Sequence, residues 1–484
     1  MSDPSRPIIL WFREDLRLAD NPALHAAALT KQPLLCIFVF DDESPGLRAP
    51  GGAARWWLHG ALAALKAGLR KRGGDLHIFR GAAAPVIGRL VGESGANAVY
   101  WNRRYDEAGR AIDADIKSAL KARGIAAESF NGTLLHEPWH VAGKTGKPFQ
   151  VFTPYWRAAC AKGEPAAPLT VPQTLTFHPL PKSAASVALA ALQLAPHKPD
   201  WAGGLREAWA PCEAGAVKAL DLFLKKGLPG YAANRDRPDM ASTSRLSPFL
   251  HAGNISPRQI WHAAQTAAMT GASKASAADR DKFFSELGWR EFSYHLLFYH
   301  PDLATKNVQS RFDALPWRHD RKALRAWQRG LTGYPIVDAG MRELWATGWM
   351  HNRVRMIAAS FLVKHLLIDW RAGERWFWDT LVDADAASNA ASWQWVAGSG
   401  ADAAPYFRIF NPLLQSETFD PDGIYIRRWI PELAKLPAPL IHKPWAATQD
   451  LIGAGVRLGE TYPHPIVEHD AARQRALAAF EMLR

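Results

Sequence analysis

The sequence predicts an α/β domain, then a long linker, then a large all-α domain. Short apolar runs alternate with helical patterns up to about residue 130. The next segment is rich in Pro, Ala, Lys and Ser, and the rest is helical in pattern nearly to its end. Apolar strands separated by helices are typical of a parallel sheet covered on both faces. We therefore expect the three parts at residues 1–130, 131–205 and 206–484.

The predicted sheet is built from apolar runs that show little alternation. These runs are PIILWF (7–12), LLCIFVF (34–40), LHIF (76–79) and AVYW (98–101). Helical patterns lie around 21–29, 55–72, 83–92 and 105–122. No GxGxxG follows the first strand, so the usual dinucleotide fingerprint is absent from this Rossmann-like arrangement. A ligand of this domain would have to bind by other means.

The linker and the helical part are distinguished by composition. Stretches such as CAKGEPAAPLTVPQTLTFHPLPKSAAS indicate a long connection wrapping between two domains. In the helical part, NISPRQIW predicts a helix start, with Ser256 as the cap and Pro257 in the first turn.

Charge and composition restrict the class of protein. A net charge of +12 over 484 residues favours a polyanionic partner, most simply nucleic acid, although charge also serves solubility. The cysteines, Cys36, Cys160 and Cys212, are far apart, which argues against a disulfide framework or zinc site and fits a reducing cytosol. We find neither a signal peptide nor a long apolar span, so a cytoplasmic protein is expected.

Two segments place unusual side chains on one helical face. In WMHNRVRM, the residues Trp349, Asn352, Arg353 and Met356 fall at i, i+3, i+4 and i+7. This mixture of indole, amide, guanidinium and thioether suits either a partly exposed domain edge or the wall of a cavity for a flat, polar-edged ligand.

ELGWREFS repeats that spacing with Glu286, Trp289, Arg290 and Ser293. A planar base could stack on Trp289, Glu286 could accept hydrogen bonds from its edge, and Arg353 could contact a phosphate. Two such faces in one helical domain favour a lined pocket.

Two further motifs are weaker. TSRLS (243–247) gathers hydroxyls and an arginine at a helix start, which suits an anion, although such caps are common. DADAASN (383–389) has carboxylates and an amide that could bind a metal, but no His or further acid lies nearby, so we expect none. Arg355 and Arg375 are possible charge partners for this segment.

Taken together, the motifs resemble the photolyase/cryptochrome family of flavoproteins. WFREDLRLADNPAL, TSRLS, ELGWREF, GWMHNRVRM, LVDADAASNAASWQW and DAAPYFRIFNP occur in the family's order, and the resemblance is loosest in 131–205. It implies an α/β antenna domain, a helical domain that binds FAD, and light-driven DNA repair or light sensing.

The resemblance also implies residue roles. FAD would be bound by Tyr231, Thr243, Ser244, Arg245, Leu246, Ser247, Arg290, Trp349, Arg355, Asp383, Ala384, Asp385 and Asn389, the last facing flavin N5. Catalysis on a flipped pyrimidine dimer would involve Glu286, Trp289, Asn352, Met356, Asn389 and Trp395. DNA would be contacted by Arg235, Glu286, Trp289, Ser293, Asn352 and Arg353. Electrons would reach the flavin through Trp317, Trp370 and Trp393, although core packing explains any one of these, and a second route could use Trp376 or Trp378.

Particular residues distinguish branches of the family. The branch that repairs (6-4) photoproducts has histidines where this chain has Asn352 and Met356, and plant cryptochromes have aspartate at the position of Asn389. The resemblance is therefore to a bacterial cyclobutane pyrimidine dimer photolyase of class I or III, acting as a monomer on UV-damaged DNA. The alternative is a blue-light receptor of cryptochrome type.

The antenna pigment is predicted from two features. Gly109 stands where folate-type enzymes have a glutamate, whereas GGAARWWLHGAL (51–62) resembles class III members, which bind 5,10-methenyltetrahydrofolate in a different niche. That folate is favoured over 8-hydroxy-5-deazaflavin. Trp56 and Trp57 could help form the niche or could belong to a buried helix face.

The segment ASNAASWQWV (387–396) is expected to join two sites. Ala390, Ala391 and Ser392 are small enough to let the backbone pass close to a flat cofactor. A spacing of two sends Trp393 and Trp395 to opposite sides of a strand-like segment, so one would serve electron transfer and the other the substrate pocket.

Overall fold

The computed structural model describes residues 6–143, 146–446, 451 and 453–483. Its N-terminal part is a parallel five-stranded sheet with strand order β3-β2-β1-β4-β5. The strands are β1 (Ile8–Phe12), β2 (Leu34–Phe40), β3 (His77–Arg80), β4 (Ala98–Asn102) and β5 (Ala126–Phe130). The predicted combination of a parallel α/β sheet with a large helical part is confirmed.

Both faces of the sheet are buried, which explains the uninterrupted apolar runs. Ile8 and Leu10 of β1 belong to a core with the first two helices, whereas Ile9 and Trp11 face the next two. These helices are α1 (Pro22–Leu29), α2 (Gly52–Arg70), α3 (Ala83–Ser94) and α4 (Glu107–Ala122), close to the predicted bounds.

Strand β5 was not predicted. It pairs with β4 at one edge of the sheet, and its sequence AAESF is only partly buried. An edge strand covered less completely than its neighbours does not need an apolar run, so its sequence gives little signal.

The segment 131–205 contains more structure than a bare connection. Helix α5 (Phe152–Cys160) lies within it and buries Tyr155 against Phe292 of the helical part. The backbone N–H groups of Leu135 and His136 donate to the buried carboxylate of Glu291. These contacts fasten the segment to the helix that carries ELGWREFS.

The rest of the described chain is helical. The helices are α6 (Gly203–Ala208), α7 (Glu213–Leu222), α8 (Tyr231–Asn234), α9 (Ser247–His251), α10 (Pro257–Met269), α11 (Ala277–Tyr299), α12 (Arg321–Arg329), α13 (Pro335–Thr347), α14 (Asn352–Ser360), α15 (Trp370–Thr380), α16 (Ser388–Ala397), α17 (Pro412–Phe419), α18 (Ile424–Trp429), α19 (Ala438–Ile441) and α20 (His469–Glu481). Ser256 caps α10 as predicted, in a capping box with Gln259. Within the described ranges, no helix has both the length and the apolar composition to cross a bilayer.

Two local predictions were wrong. The segment that contains Trp393 and Trp395 is helix α16 rather than strand-like. Two residues apart on a helix are about 200° apart, so the two indoles still diverge, for a different geometric reason. Trp349 precedes α14, which begins at Asn352, so it does not share a continuous helical face with Arg353 and Met356.

Candidate functional site

A cavity of about 580 Å³ lies in the helical part, which is within the range of small-molecule sites. It brings together segments far apart in the sequence. Predicted residues that line it are Tyr231, Arg235, Thr243, Ser244, Arg245, Leu246, Ser247, Glu286, Trp289, Arg290, Ser293, Trp349, Asn352, Arg353, Arg355, Met356, Asp383, Asp385, Asn389, Trp393 and Trp395. Ala384, Trp317 and Trp370 lie outside its lining.

Asp383 joins three segments at the cavity wall. One of its carboxylate oxygens accepts hydrogen bonds from Arg355 at 2.8 Å and from the Ser247 hydroxyl at 2.6 Å. The other oxygen is buried and has no hydrogen-bond partner among the described residues. A buried carboxylate oxygen without a partner is costly, so this atom suits a ligand that donates a hydrogen bond.

Asp385 lies in a second charged cluster, two residues further on. The Tyr294 hydroxyl donates to it at 2.5 Å, and the His251 ring lies 3.9 Å away. Burial alone would raise the pKa of Asp385, but the interaction with His251 and the charge of Arg290 hold it below its usual value. Burial would lower the pKa of His251, yet Asp385 raises it. The pair therefore favours a carboxylate beside a cationic imidazole.

The TSRLS segment lies along the cavity, where Ser247 opens the short helix α9. Arg245 has a φ of +52°, in the left-handed region that non-glycine residues seldom adopt. Its guanidinium lies over the rings of Trp209 and Trp349, at 4.4 and 5.0 Å. Strained backbone of this kind often marks ligand sites.

Glu286 projects from α11 and is held by two cations. Arg235 donates to its carboxylate, and the Lys282 ammonium lies 3.2 Å from the same oxygen. Arg235, which was predicted to contact DNA, pairs with Glu286, and its side chain is 12% exposed. Its immediate effect is to orient that carboxylate at the cavity.

Trp289 is stacked on one face by Phe152 of α5, with centroids 3.8 Å apart and rings 9° from parallel. That face is therefore occupied within the protein. The indole also lines the cavity, so a planar ligand has access to what remains of its surface. Sequence reasoning did not identify Phe152, because nothing in 131–205 distinguishes it.

Arg353 donates to Asp236 at 2.5 Å and lies over the Phe419 ring at 4.4 Å. Near it, the Asn352 amide points to the Met356 sulfur at 3.8 Å, and Asn352 is exposed. Asp236 was also missed by sequence reasoning. It is an ordinary acidic residue whose role depends on a long-range contact.

Asn389 is buried on α16 and lines the cavity. Its amide nitrogen donates to the Glu374 carboxylate at 2.8 Å and to the Glu374 carbonyl at 3.1 Å. With both N–H groups engaged, the amide oxygen is the atom left for a ligand.

The three tryptophans predicted to carry electrons are graded in exposure. Trp393 and Trp370 are 2% and 0% exposed and lie in one hydrophobic core, and Trp317 packs at its edge, partly exposed. The side chain of Trp376 stacks on exposed Trp345, with centroids 6.0 Å apart and rings 5° from parallel. This arrangement is compatible with routes from the surface.

Trp56 and Trp57 are buried on α2, and the Trp57 N–H donates to Asn254 at 2.9 Å. Of the two interpretations left open, the structure favours a buried helix face. No group of three metal-binding side chains occurs in the described part of the chain, and Asp383 and Asp385 are engaged by Arg355, Ser247 and Tyr294 instead.

Comparisons with known proteins identify both parts of the chain. A model described as "DNA photolyase" matches residues 8–173, and one described as "FAD binding domain of DNA photolyase" matches 283–482. A deoxyribodipyrimidine photo-lyase of Agrobacterium fabrum is 52% identical, with 100% of this chain and 99% of that protein covered. Cryptochrome-1 of Arabidopsis thaliana is 39% identical over 98% of this chain and 70% of its own length. The crystal structure of a bacterial class III photolyase from Agrobacterium tumefaciens superposes with a TM-score of 0.95 at 52% identity, covering 100% and 98% of the two chains.

Proposed function

Because the chain belongs to the DNA photolyase family, we propose that it repairs cyclobutane pyrimidine dimers in UV-damaged DNA with light and FAD. The observation that carries this function is that one cavity is lined both by the residues expected to hold FAD and by those expected to receive a flipped dimer. A cofactor and a base placed in one cavity can exchange an electron directly. A dimer pairs poorly within a duplex, so it costs less to extrude than an intact step.

The polar set of the cavity fits FAD. Asp383 offers a buried oxygen without a partner in the described residues, Ser247 and Arg355 fix that carboxylate, and Asn389 offers an amide oxygen. The remaining FAD contacts are proposed at Tyr231, Thr243, Ser244, Arg245, Leu246, Arg290, Trp349, Ala384 and Asp385. The chemistry that this cofactor supplies when bound and reduced is light-driven donation of one electron to the dimer, which splits the cyclobutane ring, and recovery of that electron.

The residues facing the substrate bind and orient it. Glu286, held by Arg235 and Lys282, accepts hydrogen bonds from a base edge, and Asn352 contacts the edge with its amide. Trp289 and Trp395 supply ring faces on which a base can stack. The flexible side chain of Met356 fills the gap between the base and the cavity wall. Arg235, Ser293 and Arg353 also line the cavity and complete the proposed DNA contacts.

The test is repair of an oligonucleotide that carries one cyclobutane dimer. Protein with reduced FAD should restore the intact pyrimidines under blue light and should leave the dimer unchanged in the dark. Chromatography of the digested oligonucleotide measures both. If the reduced protein repairs nothing in light, the enzyme is excluded and the receptor of cryptochrome type becomes the better candidate, as the likeness to Cryptochrome-1 would then suggest.

Replacing Arg353 by Ala should weaken binding to damaged DNA and reduce its salt dependence. The substitution removes a cation and one of the two arginines beside the Asp236 carboxylate, of which Arg235, at 3.9 Å, remains. Loss of one phosphate contact lowers the slope of log K against log salt by about 0.9 on duplex DNA. Fluorescence anisotropy between low and moderate salt measures it.

The matched control is Arg342→Ala, which breaks an Arg–carboxylate pair of similar exposure with Glu432 away from the cavity. It should leave both affinity and slope unchanged. An unaltered slope in Arg353→Ala would remove Arg353 from the phosphate contacts.

The antenna, domain limits and cellular setting are extensions of this proposal. The likeness to a class III photolyase supports 5,10-methenyltetrahydrofolate over 8-hydroxy-5-deazaflavin, and the absorption bands of the native protein distinguish the two. Residues 1–130 would hold the antenna, 131–205 the connection and 206–484 the FAD and DNA sites. The three unpaired cysteines support a reducing cytoplasm, where the enzyme acts as a monomer.

A further inference from the structure

A loop of the α/β part extends to the helix beside Asn389. In this loop, between β2 and α2, Arg48 forms two parallel hydrogen bonds with Glu374 on α15, at 2.6 and 2.8 Å. The Glu374 side chain is 2% exposed, whereas that of Arg48 is 34% exposed. The carboxylate is therefore buried, and its partner comes from outside the helical part.

The loop is held firmly on α15. The Arg48 guanidinium lies 3.9 Å from the centre of the Trp378 ring, and the Trp378 N–H donates to the Ala49 carbonyl at 2.9 Å. The Gly52 N–H donates to Asp379 at 2.9 Å. At Gly51, an added Cβ would lie 2.1 Å from the Trp378 carbonyl oxygen, so only glycine permits this approach. Arg48 is thus held in place by the Trp378 ring and by both hydrogen bonds to Glu374.

Glu374 connects Arg48 to the cavity through its contact with Asn389. The carboxylate oxygen that receives one Arg48 N–H also accepts from the Asn389 amide nitrogen at 2.8 Å. An ionised carboxylate only accepts hydrogen bonds, whereas a protonated carboxyl can also donate. While Glu374 is ionised, the Asn389 nitrogen must therefore face it and the amide oxygen must face away.

We infer that Arg48 is a positioning residue for Asn389. By pairing with the Glu374 carboxylate, Arg48 holds it as the acceptor for the Asn389 nitrogen and so leaves the amide oxygen available to the cavity. This inference rests on the proposed function, since its consequence concerns FAD. Reduced flavin carries a hydrogen at N5 and donates there, whereas oxidised flavin accepts there. An amide oxygen beside that atom favours the reduced form, which is the form that repair requires.

Without Arg48, the buried Glu374 would lose the cation with which it pairs. Buried carboxylates without one become protonated, because the charged form loses its solvation. A protonated Glu374 could donate to the Asn389 oxygen, and this bond would reverse the amide at the cost of the one that its nitrogen now donates to the Glu374 carbonyl at 3.1 Å. The amide nitrogen would then face the cavity, where it would favour the oxidised flavin.

The experiment compares Arg48→Met with Arg80→Met. Arg80 lies in the same domain and pairs with Asp42 in an exposed contact, so its loss tests the removal of a cation from that domain alone. The readouts are the midpoint potential of bound FAD, the rate at which reduced FAD is oxidised by air, and the infrared carboxyl band of a protonated acid.

In Arg48→Met, we expect a lower midpoint potential and air oxidation about fivefold faster, the change expected for one lost hydrogen bond. A protonated carboxyl band should appear and should be absent from the double variant Arg48→Met/Glu374→Gln. Arg48→Lys should retain most of the wild-type potential, and Arg80→Met should behave as wild type.

An unchanged potential and no new carboxyl band in Arg48→Met would overturn the inference, and so would equal shifts in Arg48→Met and Arg80→Met. Dimer repair by the wild type is measured in parallel. If the wild type repairs no dimer, the proposed function is contradicted. The comparison of midpoint potentials among the variants tests the role of Arg48 separately.

Discussion

Replacing Trp393 by Phe should reduce the photoreduction of oxidised FAD by an order of magnitude or more, while repair by chemically reduced protein persists. The indole is 2% exposed, lines the cavity and shares a core with Trp370, as the proposed route requires. Phenylalanine fills much of the same space but is far harder to oxidise. Flavin absorbance during anaerobic illumination with a reductant measures photoreduction, and the dimer assay measures repair.

Two further variants test whether the loss of photoreduction is specific to the proposed route. Trp370→Phe should reproduce it, because the route requires each member. Trp327→Phe is the matched control, since Trp327 is fully buried and its ring lies 6.1 Å from that of Trp393, yet it is outside the proposed route. Photoreduction that survives in Trp393→Phe, or that is lost equally in Trp327→Phe, would contradict the route through Trp317, Trp370 and Trp393.

The stability cost of these variants has to be separated from electron transfer. Gly373 lies so close to Trp393 that an added Cβ would be 2.1 Å from its ring, which shows how tightly α15 packs there. A smaller ring leaves a void and costs about 1–3 kcal/mol of unfolding free energy. Melting temperatures of all three variants establish whether the fold is retained.

The fold was predictable where burial imposes a pattern. Strands β1 to β4 are covered on both faces, so their apolar runs gave their positions within about a residue. Strand β5 at the sheet edge and helix α5 in the connection lack such a pattern. Their places are set by partners elsewhere in the chain, which a local pattern does not report.

The sequence motifs predicted most residues that line the candidate site, but not the distant residues that contact them. Spacing on α11 placed Glu286 and Trp289 on one face, and the resemblance supplied most of the lining. The contacts that fix these side chains come from Phe152, Asp236 and Glu374, which lie far away in sequence. Ordinary residue types acquire such roles through tertiary packing alone.

The helix at 388–397 differs from the predicted geometry, yet it still sends the side chains of Trp393 and Trp395 in different directions. A strand-like segment was expected because a spacing of two sends Trp393 and Trp395 to opposite sides of a strand. The segment is α16, where Asn389 and Trp393, at i and i+4, share the side facing the cavity and core. The helix thus explains what the strand did not, namely why the amide and the first indole line the same cavity.

Replacing Asp383 by Asn should weaken FAD binding by roughly 10- to 100-fold, the effect of losing a hydrogen bond to a charged group. The carboxylate holds Arg355 at 2.8 Å and Ser247 at 2.6 Å, and its second oxygen is buried without a partner in the described residues. Asparagine keeps the size but loses the charge, so Arg355 loses its counterion and the ligand loses a strong acceptor. Titration of FAD into flavin-free protein measures the affinity.

The control is Asp221→Asn, the same chemical change at an exposed position of α7, which should bind FAD as the wild type does. A second variant, Ser247→Ala, removes one hydrogen bond to Asp383 and should weaken binding only a fewfold. The affinity for FAD should therefore be lowest in Asp383→Asn, intermediate in Ser247→Ala and highest in the wild type. This order follows from the number and charge of the groups that each change removes. Equal affinity in Asp383→Asn and wild type would mean that the unpaired oxygen does not face the ligand, since a buried acceptor that a ligand uses cannot be altered without cost.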